Sequence, residues 1–154
     1  MKHQPEVDPH RIGALGLSTG ADVLVEVAAK RRDIAALVAD GTAAGSFEDW
    51  HHLRGTQIGT APGWVMFTTM RVLSGDPPGP PLEDMVKRLE SPTLLISSGT
   101  DVERDFNVLY ERAAHGRLEH WNVPGAVHTR AIRSHHAEYE RRVGEFFDRA
   151  LLTR

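Results

Sequence analysis

The chain of 154 residues has the length of one domain and can bury one hydrophobic core. With 18 Lys and Arg against 21 Asp and Glu, its formal net charge is -3, so it has no basic excess for binding nucleic acid. Cysteine is absent, which excludes disulfides, thiolate catalysis and cysteine–zinc sites. The polar N-terminal residues and the lack of a long apolar run predict a cytoplasmic protein without a membrane span.

The first block of the chain, residues 8–41, predicts a strand, a helix and a second strand. Ile12 to Leu17 is a short apolar run behind the turn signal Asp8-Pro9, as expected for a strand buried on both faces. Ala21 to Lys30 carries apolar residues at helical spacing. Ile34 to Ala39 is again a continuous apolar run, and Asp40-Gly41 ends it.

The middle of the chain, residues 42–90, predicts two or three short helices. Ser46 and Asp49 have the spacing of a capping box at the start of the first helix. Two further apolar stripes follow, formed by Trp64, Phe67, Met70 and Leu73 and then by Leu82, Met85, Val86 and Leu89. We interpret this segment as a helical lid inserted over an active site, with a plain helical crossover as the alternative.

The last block, residues 91–154, repeats the order of the first. Thr93 to Ile96 predicts a strand, Phe106 to Ala113 a helix that Gly116 can close, and Leu118 to Val123 another strand. Ser134 is expected to cap a final helix. Strands that alternate with helices predict an α/β domain with a parallel sheet of about four strands.

The stretch Gly16-Leu17-Ser18-Thr19-Gly20 is a G-x-S-x-G motif. An apolar strand precedes it and an apolar helix follows it, which is the context that a nucleophile elbow requires. In such a turn the backbone of Ser18 is strained and its hydroxyl is exposed, while the small Gly16 and Gly20 let strand and helix pass closely. The start of the following helix favours developing negative charge.

A serine nucleophile requires a base and an acid that orients the base. His128 follows the last predicted strand and is the preferred base, and Asp101 follows the strand before it and is the preferred acid. Both therefore lie with Ser18 at the carboxyl ends of parallel strands, where α/β sheets bind ligands. The alternatives for the acid are Asp40, Glu103 and Asp105.

In the segments around Ser18, Asp101 and His128, the chain resembles the C-terminal half of an α/β-hydrolase fold protein. The matching segments are DPHRIGALGLSTG around Ser18, SPTLLISSGTD around Asp101 and VPGAVHT around His128, in the family's chain order of Ser, Asp and His. The resemblance covers essentially the whole chain and fits the esterase, dienelactone-hydrolase-like and serine-peptidase-like branches. It implies a truncated α/β-hydrolase fold with about four parallel strands, flanking helices and a helical lid insertion.

The resemblance implies a serine hydrolase that cleaves an ester, thioester or amide through an acyl-enzyme on Ser18. His128 would move the proton, Asp101 would orient His128, and the backbone N–H of Thr19 would donate to the oxyanion. Family members carry a second oxyanion donor in a loop well before the nucleophile, but only 17 residues precede Ser18 here. Loss of one donor typically costs about 10²–10³ in rate, so we expect impaired activity.

The alternative is a non-catalytic fragment or pseudoenzyme that acts as an interaction module through an exposed sheet edge. The strand Ile12 to Leu17 would lack a neighbour on one side, and it contains neither charge nor proline to protect that edge. The expected partners are a small-molecule ester or amide and either a second copy or a complementing N-terminal half. No cofactor is implied, and no metal is expected at the adjacent pairs His51-His52 and His135-His136, which cannot face one ion from a helix.

Overall fold

The computed structural model describes residues 5–54, 61–75, 79–98 and 100–152. In the described part of the chain, no helix has the length and hydropathy needed to cross a membrane. The elements in chain order are β1 (Gly13–Leu17), α1 (Thr19–Lys30), β2 (Ala36–Asp40), α2 (Phe47–Arg54), α3 (Ala61–Ser74), α4 (Leu82–Val86), β3 (Thr93–Ser98), α5 (Asp101–Ala113), β4 (Leu118–Val123), α6 (Ala131–Ser134) and α7 (His136–Leu152).

The strands form a four-stranded sheet in the order β1-β2-β3-β4, and each pair of neighbours is parallel. This confirms the predicted α/β class and the predicted parallel sheet. Leu17 pairs with Asp40, and Asp40 pairs with Ile96, so the carboxyl ends of β1, β2 and β3 lie side by side. Every residue of β2 and β3 is buried. The expectation that the first strand is buried on both faces is wrong, since Gly16 is the one buried residue of β1, which lies at the edge of the sheet in the described part of the chain.

Two apolar layers cover the faces of the sheet. On one face, Leu37, Ala39 and Leu95 pack against α1, α4 and α5. On the other face, Ala36, Val38 and Ile96 pack against α7. Alternate residues of each central strand therefore contribute to opposite layers, because successive side chains of a strand point to opposite faces.

The predicted capping box at the start of α2 is present. The N–H of Asp49 donates to Ser46 Oγ at 3.2 Å, and Asp49 Oδ2 accepts the N–H of Ser46 at 3.0 Å. The same buried carboxylate also accepts the N–H groups of Leu82 and Glu83, at 2.9 and 3.0 Å. Asp49 thus caps α2 and joins it to the start of α4.

The helices between β2 and β3 differ in burial. Leu82, Met85, Val86 and Leu89 are buried in the core layer of α1 and α5, so α4 packs in the core. In α3, Phe67 is buried, whereas Trp64, Met66 and Met70 are exposed. The lid formed by residues 42–90 stays a prediction.

The C-terminal segment also differs from the expectation. Ser134 is the last residue of α6, and its hydroxyl donates to the carbonyl of Arg130 at 3.2 Å, so it does not begin the final helix. Helix α7 starts at His136 and buries Tyr139 and Phe146. The Tyr139 hydroxyl reaches the end of β2, where it contacts Asp40.

Candidate active site

Ser18 is the single residue between β1 and α1, and its backbone has φ 53° and ψ −130°. A positive φ in a residue with a side chain costs about 1–3 kcal/mol, so the surrounding hydrogen bonds must hold the turn. The N–H of Ser18 donates to the carbonyl of Asp40 at 2.8 Å, and the carbonyl of Ser18 accepts the N–H of Ala21 at 2.8 Å. The strained turn that the motif predicts is therefore present at Ser18.

The two glycines of the motif have different surroundings. A Cβ atom at Gly16 would lie 2.7 Å from the carbonyl oxygen of Gly20 and 2.8 Å from Cα of Ala21, so β1 and α1 approach closely there. A Cβ atom at Gly20 would meet no atom within 4 Å. The expectation that both glycines make room is right for Gly16 and wrong for Gly20.

His128 lies in the loop after β4, with its imidazole between Ser18 and α5. Its Nε2 is 3.0 Å from Ser18 Oγ. The next residue, Thr129, has φ 55°, and its N–H donates to Ser98 Oγ at 3.1 Å, which anchors the loop to the end of β3. The structure therefore brings together the serine and the histidine that the sequence selects.

The carboxylate that contacts His128 belongs to Glu103 and not to Asp101. Glu103 Oε2 is 2.6 Å from His128 Nδ1, and Glu103 Oε1 accepts the N–H of Ser98 at 2.5 Å. The Glu103 side chain is 4% exposed, whereas that of Asp101 is 83% exposed and pairs with Arg104 at 2.7 Å. The expectation of Asp101 as the acid is therefore wrong, because the first residue of α5 points to solvent.

Two sequence signals could have identified Glu103. Thr100 and Glu103 have the spacing of a capping box, and Thr100 Oγ1 does accept the N–H of Glu103 at 3.2 Å. A glutamate in this position can reach back over the start of its helix. Glu103 also extends the buried stripe of α5, whose other members are Phe106, Asn107 and Tyr110. Asp101 lies outside that stripe.

Asp105 and Asp40 bond to groups other than the imidazole of His128. Asp105 pairs with Arg104 at 2.8 Å. Asp40 is fully buried on the α7 side of the sheet, where its Oδ2 accepts the Tyr139 hydroxyl at 3.0 Å.

Two carboxyl groups near Ser18, His128 and Glu103 have raised pKa values. Burial raises the pKa of Asp40 to about 6, although the hydrogen bond from Tyr139 partly opposes the shift. Burial also raises the pKa of Asp22, one helical turn after Ser18, to about 7, although the backbone N–H of Ala43 partly opposes it. Shifts of this size often accompany functional sites.

Thr19 is the first residue of α1, so its N–H has no partner within its own helix. This N–H follows the nucleophile directly, which is where one oxyanion donor is expected in a nucleophile elbow. Within the described ranges, no cluster of three or more His, Asp or Glu residues could hold a metal ion.

The geometry defines what the array can do chemically. An ionised carboxylate accepts hydrogen bonds only, so Glu103 places the proton of a neutral His128 on Nδ1. The unprotonated Nε2 then accepts the Ser18 hydroxyl, as a general base must. The start of α1 adds backbone dipoles that favour negative charge next to Ser18.

Comparisons with solved structures place this fold among longer proteins. The chain is 25% identical to an esterase from Pyrococcus furiosus over 92% of its own length, with a TM-score of 0.63. It is 19% identical to the acylaminoacyl peptidase from Pyrococcus horikoshii, with a TM-score of 0.66 over 96% of this chain. It is also 19% identical to dienelactone hydrolase from Anabaena variabilis, with a TM-score of 0.60 over 97% of this chain.

The chain spans 55% of the esterase chain, 25% of the peptidase chain and 54% of the dienelactone hydrolase chain. No protein-family model matches the sequence, and no curated protein matches it. The likeness therefore rests on the fold, which these three proteins share.

Proposed function

Because the chain has the α/β-hydrolase fold and resembles its C-terminal half, we propose that it is a serine hydrolase that cleaves an ester, thioester or amide. The observation that carries this proposal is the array of Ser18, His128 and Glu103, with contacts of 3.0 and 2.6 Å. The serine of this array sits on a strained strand-to-helix turn, which is the arrangement of an activated nucleophile.

In the proposed reaction, Ser18 Oγ attacks the carbonyl carbon of the substrate while His128 Nε2 takes the hydroxyl proton. The tetrahedral intermediate collapses, the carbon–heteroatom bond breaks, and His128 returns the proton to the leaving group. Water then attacks the acyl-Ser18 ester with His128 again as the base, which releases the acid and restores the serine. Glu103 holds the imidazole in the required tautomer and stabilises its charged form.

The developing oxyanion lies next to the first turn of α1 in this proposal. The Thr19 N–H is the one donor identified there in the described residues, and removal of one of two donors costs about 10²–10³ in other hydrolases. We therefore propose that this chain of 154 residues forms the acyl-enzyme but turns over slowly by itself.

Labelling with a fluorophosphonate probe tests the proposed nucleophile. We expect stoichiometric labelling of the wild-type chain and none of Ser18→Ala. Ser134→Ala is the matched control, because Ser134 Oγ also contacts an imidazole, at 2.9 Å, but lies at the end of a short helix. An unlabelled wild-type chain, or equal labelling of Ser18→Ala, would contradict the proposal.

Hydrolysis of a short p-nitrophenyl ester tests the proposed impairment separately from the nucleophile. We expect a burst of p-nitrophenol from acylation, followed by slow turnover that disappears in Ser18→Ala. Fast steady-state turnover by the same chain would show that one identified oxyanion donor is sufficient.

A second proposal concerns the free side of β1, which favours a protein partner. Among the described residues, β1 pairs with β2 only, so the N–H and C=O groups on its other side lack a strand. Leu15 and Leu17 are 43% and 46% exposed beside this edge. An uncharged strand edge with exposed apolar side chains favours strand addition.

We propose that a strand from a complementing N-terminal half of the fold occupies this edge. The relative lengths support this partner, since nearly all of this chain matches about half of the esterase chain. Light scattering on the purified chain, with and without a separately expressed N-terminal half of a related hydrolase, measures the outcome. A 1:1 complex supports the proposal. A stable homodimer, or a monomer that does not bind the added half, contradicts it.

A further inference from the structure

His128 lies in a four-residue turn, residues 127–130, in the loop after β4. The N–H of Arg130 donates to the carbonyl of Val127 at 2.7 Å, so His128 and Thr129 are the two central residues of the turn. Among the non-glycine residues that the structure describes, positive φ occurs at Thr129, with 55°, but not at His128. A positive φ at only the second central residue is typical of a type II turn, which favours glycine at that position.

The residue at this strained position of the turn is a threonine. A positive φ is exceptional for a β-branched residue, because its Cβ atom crowds the backbone in that conformation. Such a conformation persists only where the surrounding structure holds it in place. The strain at Thr129 therefore points to a contact that selects this form of the turn, next to the proposed base.

The peptide group between His128 and Thr129 is hydrogen-bonded at both ends. Its N–H donates to Ser98 Oγ at 3.1 Å, and its carbonyl accepts the Thr129 hydroxyl at 2.8 Å. The central peptide of a type II turn is turned over relative to that of a type I turn, so its N–H points to the opposite side. If Thr129 relaxed to a negative φ, its N–H would turn away from Ser98. The bond to Ser98 therefore favours the strained turn over the relaxed one.

Ser98 is the last residue of β3 and is 1% exposed. Its own N–H donates to Glu103 Oε1 at 2.5 Å, and the other oxygen of that carboxylate is 2.6 Å from His128 Nδ1. Ser98 thus contacts the carboxylate through its backbone and the turn that carries the base through its side chain. We propose that Ser98 is a positioning residue, whose hydroxyl selects the strained turn and so sets the His128 ring between Ser18 and Glu103.

The role of Ser98 rests on the proposed function, because a displaced His128 ring cannot take the proton of Ser18. Ser98→Ala removes the acceptor of the Thr129 N–H, and we expect it to slow fluorophosphonate labelling by about 10–100-fold. Ser97→Ala is the matched control, because Ser97 is also buried but donates its hydroxyl proton to Asn122, and labelling should stay at the wild-type rate. If Ser98→Ala slows labelling no more than Ser97→Ala does, the proposal is overturned.

Thr129→Gly distinguishes selection of the turn from ordinary packing by Ser98. Glycine adopts a positive φ about as readily as a negative one, so the turn then depends less on the bond to Ser98. In the Thr129→Gly background, we therefore expect Ser98→Ala to slow labelling by less than about fivefold. A loss of the same size in both backgrounds would show that Ser98 does not act through the conformation of Thr129, and it would contradict the proposal.

An NMR measurement on the complete wild-type chain keeps the test valid if Ser98→Ala fails to fold. In a type II turn, Hα of the first central residue lies closer to the N–H proton of the second than it does in a type I turn. We expect a strong nuclear Overhauser effect between His128 Hα and the Thr129 N–H proton in the wild-type chain, and a weak one in Ser98→Ala. A weak effect in the wild-type chain, or an equally strong one in folded Ser98→Ala, would contradict the proposal.

The two measurements separate the role of Ser98 from the proposed hydrolase itself, because the NMR measurement needs no reaction. If the wild-type chain is not labelled but Ser98→Ala weakens the nuclear Overhauser effect, the hydrolase is refuted and the selection of the turn by Ser98 stands. If the wild-type chain is labelled and Ser98→Ala is labelled at the same rate, the positioning role is refuted and the hydrolase stands.

Discussion

Two serine–histidine contacts of nearly equal length have different consequences in this molecule. Ser18 Oγ lies 3.0 Å from His128 Nε2, and Ser97 Oγ lies 2.8 Å from His120 Nε2. Ser97 is a fully buried residue inside β3, and His120 is on the neighbouring strand β4. By contrast, Ser18 stands on the turn past the end of its strand.

The direction of the hydrogen bonds separates the two pairs further. Ser97 donates its hydroxyl proton to Asn122 Oδ1 at 3.0 Å, so its oxygen accepts from His120 and the imidazole cannot act as its base. Glu111 is 3.6 Å from His120 Nδ1, beyond hydrogen-bond distance. Burial lowers the pKa of His120, which disfavours a charged ring.

A short Ser–His distance therefore does not define a nucleophile. The proton must point toward the histidine, a carboxylate must hold the other ring nitrogen, and the hydroxyl must be reachable by a substrate. Ser18 meets the first two conditions, because its hydroxyl contacts His128 Nε2 and the carboxylate of Glu103 contacts His128 Nδ1. Ser97 fails them and serves as a structural polar group.

Replacement of the carboxylate of Glu103 should have a large effect on labelling, and the same replacement at Glu111 a small one. Glu103→Gln should reduce the rate of fluorophosphonate labelling by about 10²–10⁴, because the amide disturbs the tautomer and cannot stabilise the imidazolium. Glu111→Gln is the matched control and should change the rate less than about twofold, since it is farther from its histidine. Equal effects in the two variants would show that His128 does not depend on Glu103.

Replacement of Gly41 tests whether labelling requires the observed position of the His128 ring. Gly41→Ala should slow labelling by about 10–100-fold, because a Cβ atom 2.8 Å from His128 Cε1 displaces the ring from Ser18. Gly125→Ala is the control, since Gly125 also has a positive φ, 76°, but its Cβ would meet nothing within 4 Å. If both variants lose the same activity, backbone strain and not the imidazole contact is responsible.

The two glycines of the G-x-S-x-G motif, Gly16 and Gly20, should differ in their effect on the free energy of unfolding. Gly16→Ala should lower the free energy of unfolding by about 1–3 kcal/mol, because the Cβ would overlap the backbone of α1. Gly20→Ala should be neutral or stabilising by up to about 1 kcal/mol, because its site is open and Ala is a better helix former. Urea unfolding measures both, and a larger loss in Gly20→Ala would contradict the predicted order.

Replacement of Ser97 should reduce stability, whereas replacement of Ser18 should abolish labelling. Ser97→Ala should lower the free energy of unfolding by about 1–3 kcal/mol, because it leaves His120 and Asn122 without their shared partner. Its labelling by fluorophosphonate should stay at the wild-type level. Ser18→Ala should abolish labelling while changing stability by less than about 0.5 kcal/mol, because the Ser18 side chain is only half-buried. Labelling that requires Ser97 would invalidate the distinction between the two pairs.

Local patterns were sufficient to predict most of the fold. The apolar runs of β2 and β3 predict strands, and the strand–helix alternation predicts the parallel sheet. The G-x-S-x-G motif predicts the strained turn at Ser18 because that conformation depends on a few adjacent residues. The same logic predicts the capping box of Ser46 and Asp49.

The serine, the histidine and the strands that carry them are readable from the amino-acid sequence, because each depends on neighbours within one strand, turn or helix. The contact of the Glu103 carboxylate with His128 and the contacts of Gly41 and Asp40 with the array emerge only from the folded chain. The bonds that close the site join residues 25 and 110 positions apart. Their geometry depends on how α5, β2 and the last loop pack together, and no local periodicity encodes that packing.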